Sequence, residues 1–192
     1  MRSRSQAAFG VAAAVMLAAS ARAGVVQGSL SVGGAADAER TVIYLEGLPA
    51  NAVPDPRLAR MSQKGARFSP ALLPVLRGTT VDLTNDDWVS HSVFSKSTSR
   101  PFDLGLYAKG EKRTVTFDKT GVIEIFCAIH PRMNAVVLVL ENPFFTKPSS
   151  DGTFSFGEVP AGTYTARYYR LGGQTAVQKV TVPASGAAAV VF

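Results

Sequence analysis

The sequence predicts an all-β protein, and three observations carry this. Apolar residues recur with period two along most of the chain, and Gly and Pro clusters interrupt them at intervals suited to antiparallel sheets. Almost no stretch shows the 3.6-residue period of an amphipathic helix.

The N-terminal segment is set aside first. Arg2 and Arg4 precede an apolar run from Ala7 to Ala19 and an A-x-A site at Ala21-Arg22-Ala23, so residues 1–23 read as a cleaved secretory signal peptide. The expected product runs from Gly24 to Phe192 and is exported to a bacterial periplasm or beyond. The apolar run falls short of the ~20 residues of a membrane span, and no later run exceeds the six residues Ala135 to Leu140. No membrane span is expected.

Along the remaining chain, Thr41 to Glu46, Thr80 to Thr84 and Thr114 to Phe117 alternate as half-buried strands. Val122 to Cys127 and Ala135 to Leu140 are short apolar runs suited to central strands. Turn signals stand between them at Gly78, Lys109-Gly110, Gly121, Asp151-Gly152, Pro160-Ala161-Gly162 and Gly172-Gly173. Pro54 to Met61 has room for one helical turn, with a loop as the alternative.

Removing the leader removes three arginines and no acids, which leaves 17 basic against 14 acidic residues and a formal charge of +3 instead of +6. That balance, with no long Lys/Arg run, argues against a nucleic-acid partner. Arg57, Arg60, Lys64 and Arg67 read as a solvated face. With 46% hydrophobic and 18% charged residues, the chain is globular and not disordered.

The rare residues point to chemistry. The chain has one cysteine, Cys127, so no internal disulfide is possible, and two histidines, His91 and His130. Of four methionines only Met61 and Met133 lie outside the leader. Cys127, His130 and Met133 stand at the first, fourth and seventh positions of one expected loop, where they can converge, and Pro131 stiffens it by fixing φ. His91 has to arrive from a separate strand, expected within Trp88 to Phe94 after a polar Asn85-Asp86-Asp87 bend. A thiolate, two imidazoles and a thioether form the ligand set of a trigonal copper electron-transfer site, whereas zinc prefers a fourth strong ligand to a thioether. Trp88 and Phe126 read as packing residues that keep water from the metal.

The pattern Gly78-x-x-Val81-x-Leu83-x-Asn85, then His91-x-Val93-Phe94, then Gly121-x-x-x-x-Phe126-Cys127-x-x-His130-x-x-Met133, resembles the cupredoxins, or blue copper proteins. Its C-x-x-H-x-x-M loop is most similar to that of amicyanin. The wider stretch, with Met61-x-Gln63, Phe68-Ser69-Pro70 and Phe102 to Tyr107, resembles cupredoxin-like methylamine utilization proteins, and the likeness covers about residues 55 to 141. The resemblance implies a Greek-key β-sandwich holding one copper, cycling between Cu(I) and Cu(II), with His91, Cys127 and His130 equatorial and Met133 axial. It implies electron passage through the edge of His130 beneath an apolar surface, with Arg132 bordering the docking patch. Many members carry Asn after the first histidine; here Ser92 stands there, and its hydroxyl is expected to bond a backbone group near the cysteine.

The C-terminal part differs. Asp151-Gly152-Thr153-Phe154, followed by Pro160-Ala161-Gly162-Thr163-Tyr164, resembles the small transthyretin-like, carboxypeptidase-regulatory-like sandwich, with Tyr164, Ala166 and Tyr168 on one face. Its usual opening strands are matched by Gly24 to Gly28 and Thr41 to Leu45, which precede the copper segment. One organisation is therefore a small sandwich of residues 24–52 and 142–192 interrupted by a copper domain of residues 53–141. The other assigns the first strands to the copper domain and leaves the C-terminal part as an appendage.

No enzyme is expected. Both histidines are assigned, and no P-loop, dinucleotide fingerprint or H-E-x-x-H is present. Asp86 and Asp87, read as strand neighbours, point to opposite faces and cannot pair as acid and base. Two functions remain: a periplasmic one-electron carrier serving a c-type cytochrome or periplasmic oxidoreductase, and a copper-handling module that docks a partner through its second sandwich.

Overall fold

A computed structural model describes residues 23–48 and 59–192. The expected leader, apart from Ala23, lies outside these residues, as do Arg57 and residues 54–58 of the expected helical turn. The described end of that turn is strand, because Ala59 and Met61 alternate with exposed Arg60 over an apolar layer.

In chain order the strands are β1 (Ala23–Ser29), β2 (Thr41–Glu46), β3 (Ala59–Gln63), β4 (Phe68–Ser69), β5 (Leu72–Leu76), β6 (Thr79–Asn85), β7 (His91–Ser95) and β8 (Phe102–Tyr107). They continue as β9 (Lys112–Phe117), β10 (Gly121–Cys127), β11 (Asn134–Leu140), β12 (Phe145–Thr146), β13 (Thr153–Pro160), β14 (Gly162–Arg170), β15 (Gln174–Val182) and β16 (Ala187–Val191). One short helix, α1 (Ala35–Glu39), lies between β1 and β2. Among the described residues no helix is long and apolar enough to cross a membrane.

These strands form four sheets, ordered β4-β3-β6-β9, β5-β11-β10-β7-β8, β12-β2-β14-β15 and β13-β1-β16. The first two enclose a core of Met61, Val81, Leu83 and Phe117 from one side and Val93, Ile123, Ile125 and Val137 from the other. The last two enclose Val26, Ile43, Leu45, Phe156, Ala166, Val182 and Val190. The all-β expectation and its two sandwiches are thus realised. Neither β1 nor β2 hydrogen-bonds to a strand of residues 59–140: β1 lies between β13 and β16, and β2 lies between β12 and β14.

A third cluster, Val42, Leu72, Val136, Leu138 and Leu140, joins the two sandwiches. It explains two sequence patterns. Along β11, Ala135, Val137 and Val139 face the first core while Val136, Leu138 and Leu140 face this seam, so the strand is apolar on both sides as its continuous run predicted. Strand β2 departs from its half-buried expectation, because Ile43 and Leu45 enter the second core and Val42 enters the seam. By contrast β9 keeps one polar face, with Val115 and Phe117 inward and Thr114 and Thr116 exposed.

Two glycines permit close approach in the second sandwich. A Cβ on Gly28 would collide with the Val190 carbonyl oxygen and the Phe154 ring. Gly152 adopts φ +87° where a Cβ would strike the Leu30 carbonyl oxygen, and its own carbonyl accepts the Leu30 N–H at 3.0 Å.

Candidate metal centre

Strands β10 and β11 form an antiparallel hairpin paired from Gly121↔Val139 to Phe126↔Asn134, and the loop that closes it carries the rare residues. Cys127 ends β10 and is 5% exposed; the alternation that buries Ile123 and Ile125 turns its side chain inward with them. The Cys127 N–H donates to the Met133 carbonyl at 3.2 Å and the Met133 N–H to the His130 carbonyl at 2.9 Å. Pro131 is therefore the second residue of a hydrogen-bonded four-residue turn, where its fixed φ pre-sets the bend. Met133 is 2% exposed and packs in the same core cluster as Cys127. Pro131 and Arg132 are exposed and Phe126 is half-buried, tilted against Phe94 at 5.7 Å between centroids.

His91 comes from β7, which pairs with β10 through Phe94↔Phe126 and Val93↔Cys127. It shares the inward face of Val93 and is fully buried. The Ala128 N–H donates to the Ser92 carbonyl at 2.8 Å, so the backbone of Ser92 ties this strand to the loop, and its hydroxyl is not the linking group. The expected strand start at Trp88 is corrected to His91: residues 87–89 form a bend, and Asn85 holds it by donating to the Val89 carbonyl at 2.9 Å and the Tyr107 carbonyl at 3.1 Å.

Three donor atoms meet here. Cys127 Sγ lies 3.7 Å from His91 Nδ1 and 3.5 Å from His130 Nδ1, and the two Nδ1 atoms are 3.1 Å apart. The residues are buried, buried and half-buried in the order His91, Cys127, His130. An ion held at ~2.3 Å from sulfur and ~2.0–2.1 Å from nitrogen separates trigonal or tetrahedral donors by about 3.3–3.8 Å. Both sulfur separations fall in that range, and the nitrogen pair, at 3.1 Å, is about 0.2 Å short of it. The cluster therefore fits a single metal ion.

The surroundings grade from buried polar groups to exposed apolar ones. Tyr107, paired with His91 across β7 and β8, is 2% exposed; burial pushes its phenol up to about 12, partly offset by its hydrogen bond with Gln63. Asp86 and Asp87 diverge as expected, but from a loop and not from a strand. Asp86 accepts from Ser62 at 2.5 Å and Arg60 at 2.7 Å, bonds that hold its carboxyl below the usual range. Asp87 accepts the Ala66 N–H and lies 3.2 Å from His91 Nε2; backbone hydrogen bonding from Ala66 is the main cause that holds it below the usual carboxylate range, against a smaller rise from burial. Sequence reasoning missed this contact. A carboxylate four residues before a histidine, across a bend, was the available signal.

Trp88 is 85% exposed, which corrects its reading as a packing residue. The Lys109 ammonium sits over its ring. Leu106 and Ile129 are also exposed, on the two segments flanking Ser92. Arg60, Lys64 and Arg67 are exposed as expected, with Arg60 paired to Asp86.

No family model and no curated protein matches this chain. Solved structures similar to it include a purple cupredoxin from Nitrosopumilus maritimus, at 28% identity and TM-score 0.40, over 43% of this chain and 99% of that one. A reduced amicyanin variant is similar at 20% identity and TM-score 0.42, over 51% of this chain and 98% of that one. A copper-containing nitrite reductase from Thermus scotoductus is similar at 25% identity and TM-score 0.43, over 60% of this chain and 28% of that one.

Proposed function

We propose that the protein is an exported type 1 copper protein that carries single electrons, and not an enzyme. The observation that carries this reading is the convergence of Cys127 Sγ with the Nδ1 atoms of His91 and His130 at 3.1–3.7 Å. His91, Cys127 and His130 would hold one copper, with Met133, buried beside them, as the weak fourth donor. Soft thiolate and thioether with two imidazoles favour copper over zinc. Copper would supply one-electron exchange between Cu(II) and Cu(I). The protein's part is to keep its donors in one arrangement: the hairpin fixes Cys127, the Pro131 turn fixes His130 and Met133, and β7 fixes His91. Little then moves on electron transfer.

The deciding experiment is an absorption spectrum of the copper-loaded chain, with one copper per chain and an intense visible thiolate band as the expected result. A colourless copper protein refutes the reading. Met133→Gln should retain copper and lower the reduction potential, as checked by voltammetry, because an amide oxygen is a harder donor that favours Cu(II).

Electrons would pass at half-buried His130, whose loop also exposes Ile129 and Arg132, with exposed Leu106 paired to Ser92 on the neighbouring strand. A charge about 10 Å from copper at an effective dielectric near 40 contributes roughly 0.8 kcal/mol, or about 35 mV for one electron. Arg132→Glu should therefore lower the potential by tens of millivolts. It should also slow reduction by an acidic patch on a c-type cytochrome or periplasmic oxidoreductase, and raised salt should shrink the difference between variant and parent. Stopped-flow exchange at two ionic strengths measures both.

The boundaries we propose are a small sandwich of residues 24–52 and 142–192 interrupted by a copper domain of residues 53–141, supported by the pairing of β1 and β2 with C-terminal strands. That second sandwich favours one other reading, copper handling, since a diffusing carrier has no use for it. Rapid, reversible electron exchange with copper retained supports the carrier; slow exchange with copper lost to an acceptor supports handling.

A further inference from the structure

The hydrogen bonds around the Asp87–Val89 bend converge on one carboxylate, and that carboxylate faces the imidazole of His91 from behind. Asp87 Oδ2 lies 3.2 Å from His91 Nε2, while the Nδ1 atom of the same ring faces Cys127 Sγ and His130. The Asp87 side chain is 12% exposed and that of His91 is 0% exposed, so the contact is sheltered from water. Two backbone donors hold the carboxylate, and a third bond holds the Asp87 backbone. Oδ2 accepts the Ala66 N–H at 2.8 Å, Oδ1 accepts the Trp88 N–H at 2.8 Å, and the Asp87 N–H donates to Asn85 Oδ1 at 2.9 Å. Ala66 supplies its N–H from φ 52°, a left-handed conformation that alanine rarely adopts. A strained turn, an asparagine and a bend thus fix a single acceptor against a buried ring.

We propose that Asp87 is a positioning residue of the metal centre: it accepts the Nε2–H of His91, which leaves Nδ1 unprotonated and aimed at the ion, and its charge favours the more oxidised metal. The partner of one imidazole nitrogen decides which nitrogen carries the proton and how basic the other becomes. With His91 in the Nε2–H form, its Nδ1 can only accept, so the 3.1 Å contact in the metal-free protein is donated by His130 Nδ1–H. The redox part of this proposal rests on the copper reading above; the tautomer part rests on the hydrogen bond alone.

Two measurements test it on the full chain. Nitrogen-15 spectra of the metal-free protein should show His91 as the Nε2–H tautomer, retained in Asp87→Asn, whose amide oxygen still accepts, and lost as a single form in Asp87→Ala. In the copper protein, Asp87→Asn should weaken Cu(II) binding relative to Cu(I) about tenfold, the lower end of effects for groups that orient a metal ligand, which raises the potential by about 59 mV. Asp86→Asn removes the same charge one residue away, from a carboxylate bonded to Arg60, Ser62 and Thr84 and not to His91, and should shift the potential far less. Equal shifts in the two variants, or a wild-type His91 carrying its proton on Nδ1, would overturn the proposal. The metal-free tautomer decides the positioning role even where the copper form lacks a thiolate band, so the two readings fail separately.

Discussion

Cys127→Ser should abolish the visible band of the copper protein and weaken Cu(II) binding by more than the ~10–100-fold typical of groups that merely orient a ligand. Cys127 is the only thiol in the chain, so no other residue can supply thiolate charge transfer. A serine hydroxyl is nearly isosteric, yet it keeps its proton at neutral pH and is a hard, weak donor. The substitution also separates the site from the fold. Cys127 is 5% exposed and its Sγ stands 3.5–3.7 Å from the His130 and His91 ring nitrogens, so a hydroxyl there needs a small shift to reach an imidazole acceptor, and the cost is limited to that of one weakly paired buried hydroxyl. The metal-free variant should therefore unfold within about 1–2 kcal/mol of the parent. Copper titration followed by absorption, beside thermal unfolding of both metal-free proteins, reads the two effects independently. A variant that keeps the band contradicts the assignment of Cys127.

How far the site was legible follows from how local each contact is. Cys127 and His130 are three residues apart at one hairpin end, so their spacing alone specified their approach, and Pro131 marked the turn. His91 is 36 residues from Cys127 and was legible only because the chain has two histidines and a strand pattern follows the first. Asp87 was overlooked, although a carboxylate four residues before His91 across the expected bend was a signal. Its role depends on which imidazole nitrogen faces the loop and which faces the bend, a side-chain orientation that no sequence pattern carries. Trp88 was misread because large aromatics are mostly buried, and no sequence signal marks one that projects outward. The two-sided burial of β2 escaped notice for another reason. Val42 becomes an interior residue only when the two sandwiches meet, an event that the β2 sequence does not encode by itself.

That meeting supplies a large stability effect, at Leu138. Its side chain is 2% exposed and packs in the seam with Val42, Leu72, Val136 and Leu140, while its neighbours Val137 and Val139 point into the core of the first sandwich. Leu138→Ala removes three carbons from a layer closed on both sides by sheets, which restricts collapse around the cavity. The expected cost is about 2–5 kcal/mol. For a chain of this size that corresponds to a melting temperature lower by roughly 5–15 °C. The backbone of β11 should stay in register, because Val122 on β10 and Pro74 on β5 still flank position 138. Since the donor loop hangs from the start of that strand and its ligands lie on the opposite face, the copper spectrum should not change. Calorimetry and absorption on one sample test both halves of the argument. A melting temperature within a degree of wild type would mean that the seam contributes little to stability, and a lower melting temperature with an altered band would mean that the two faces of β11 are not independent.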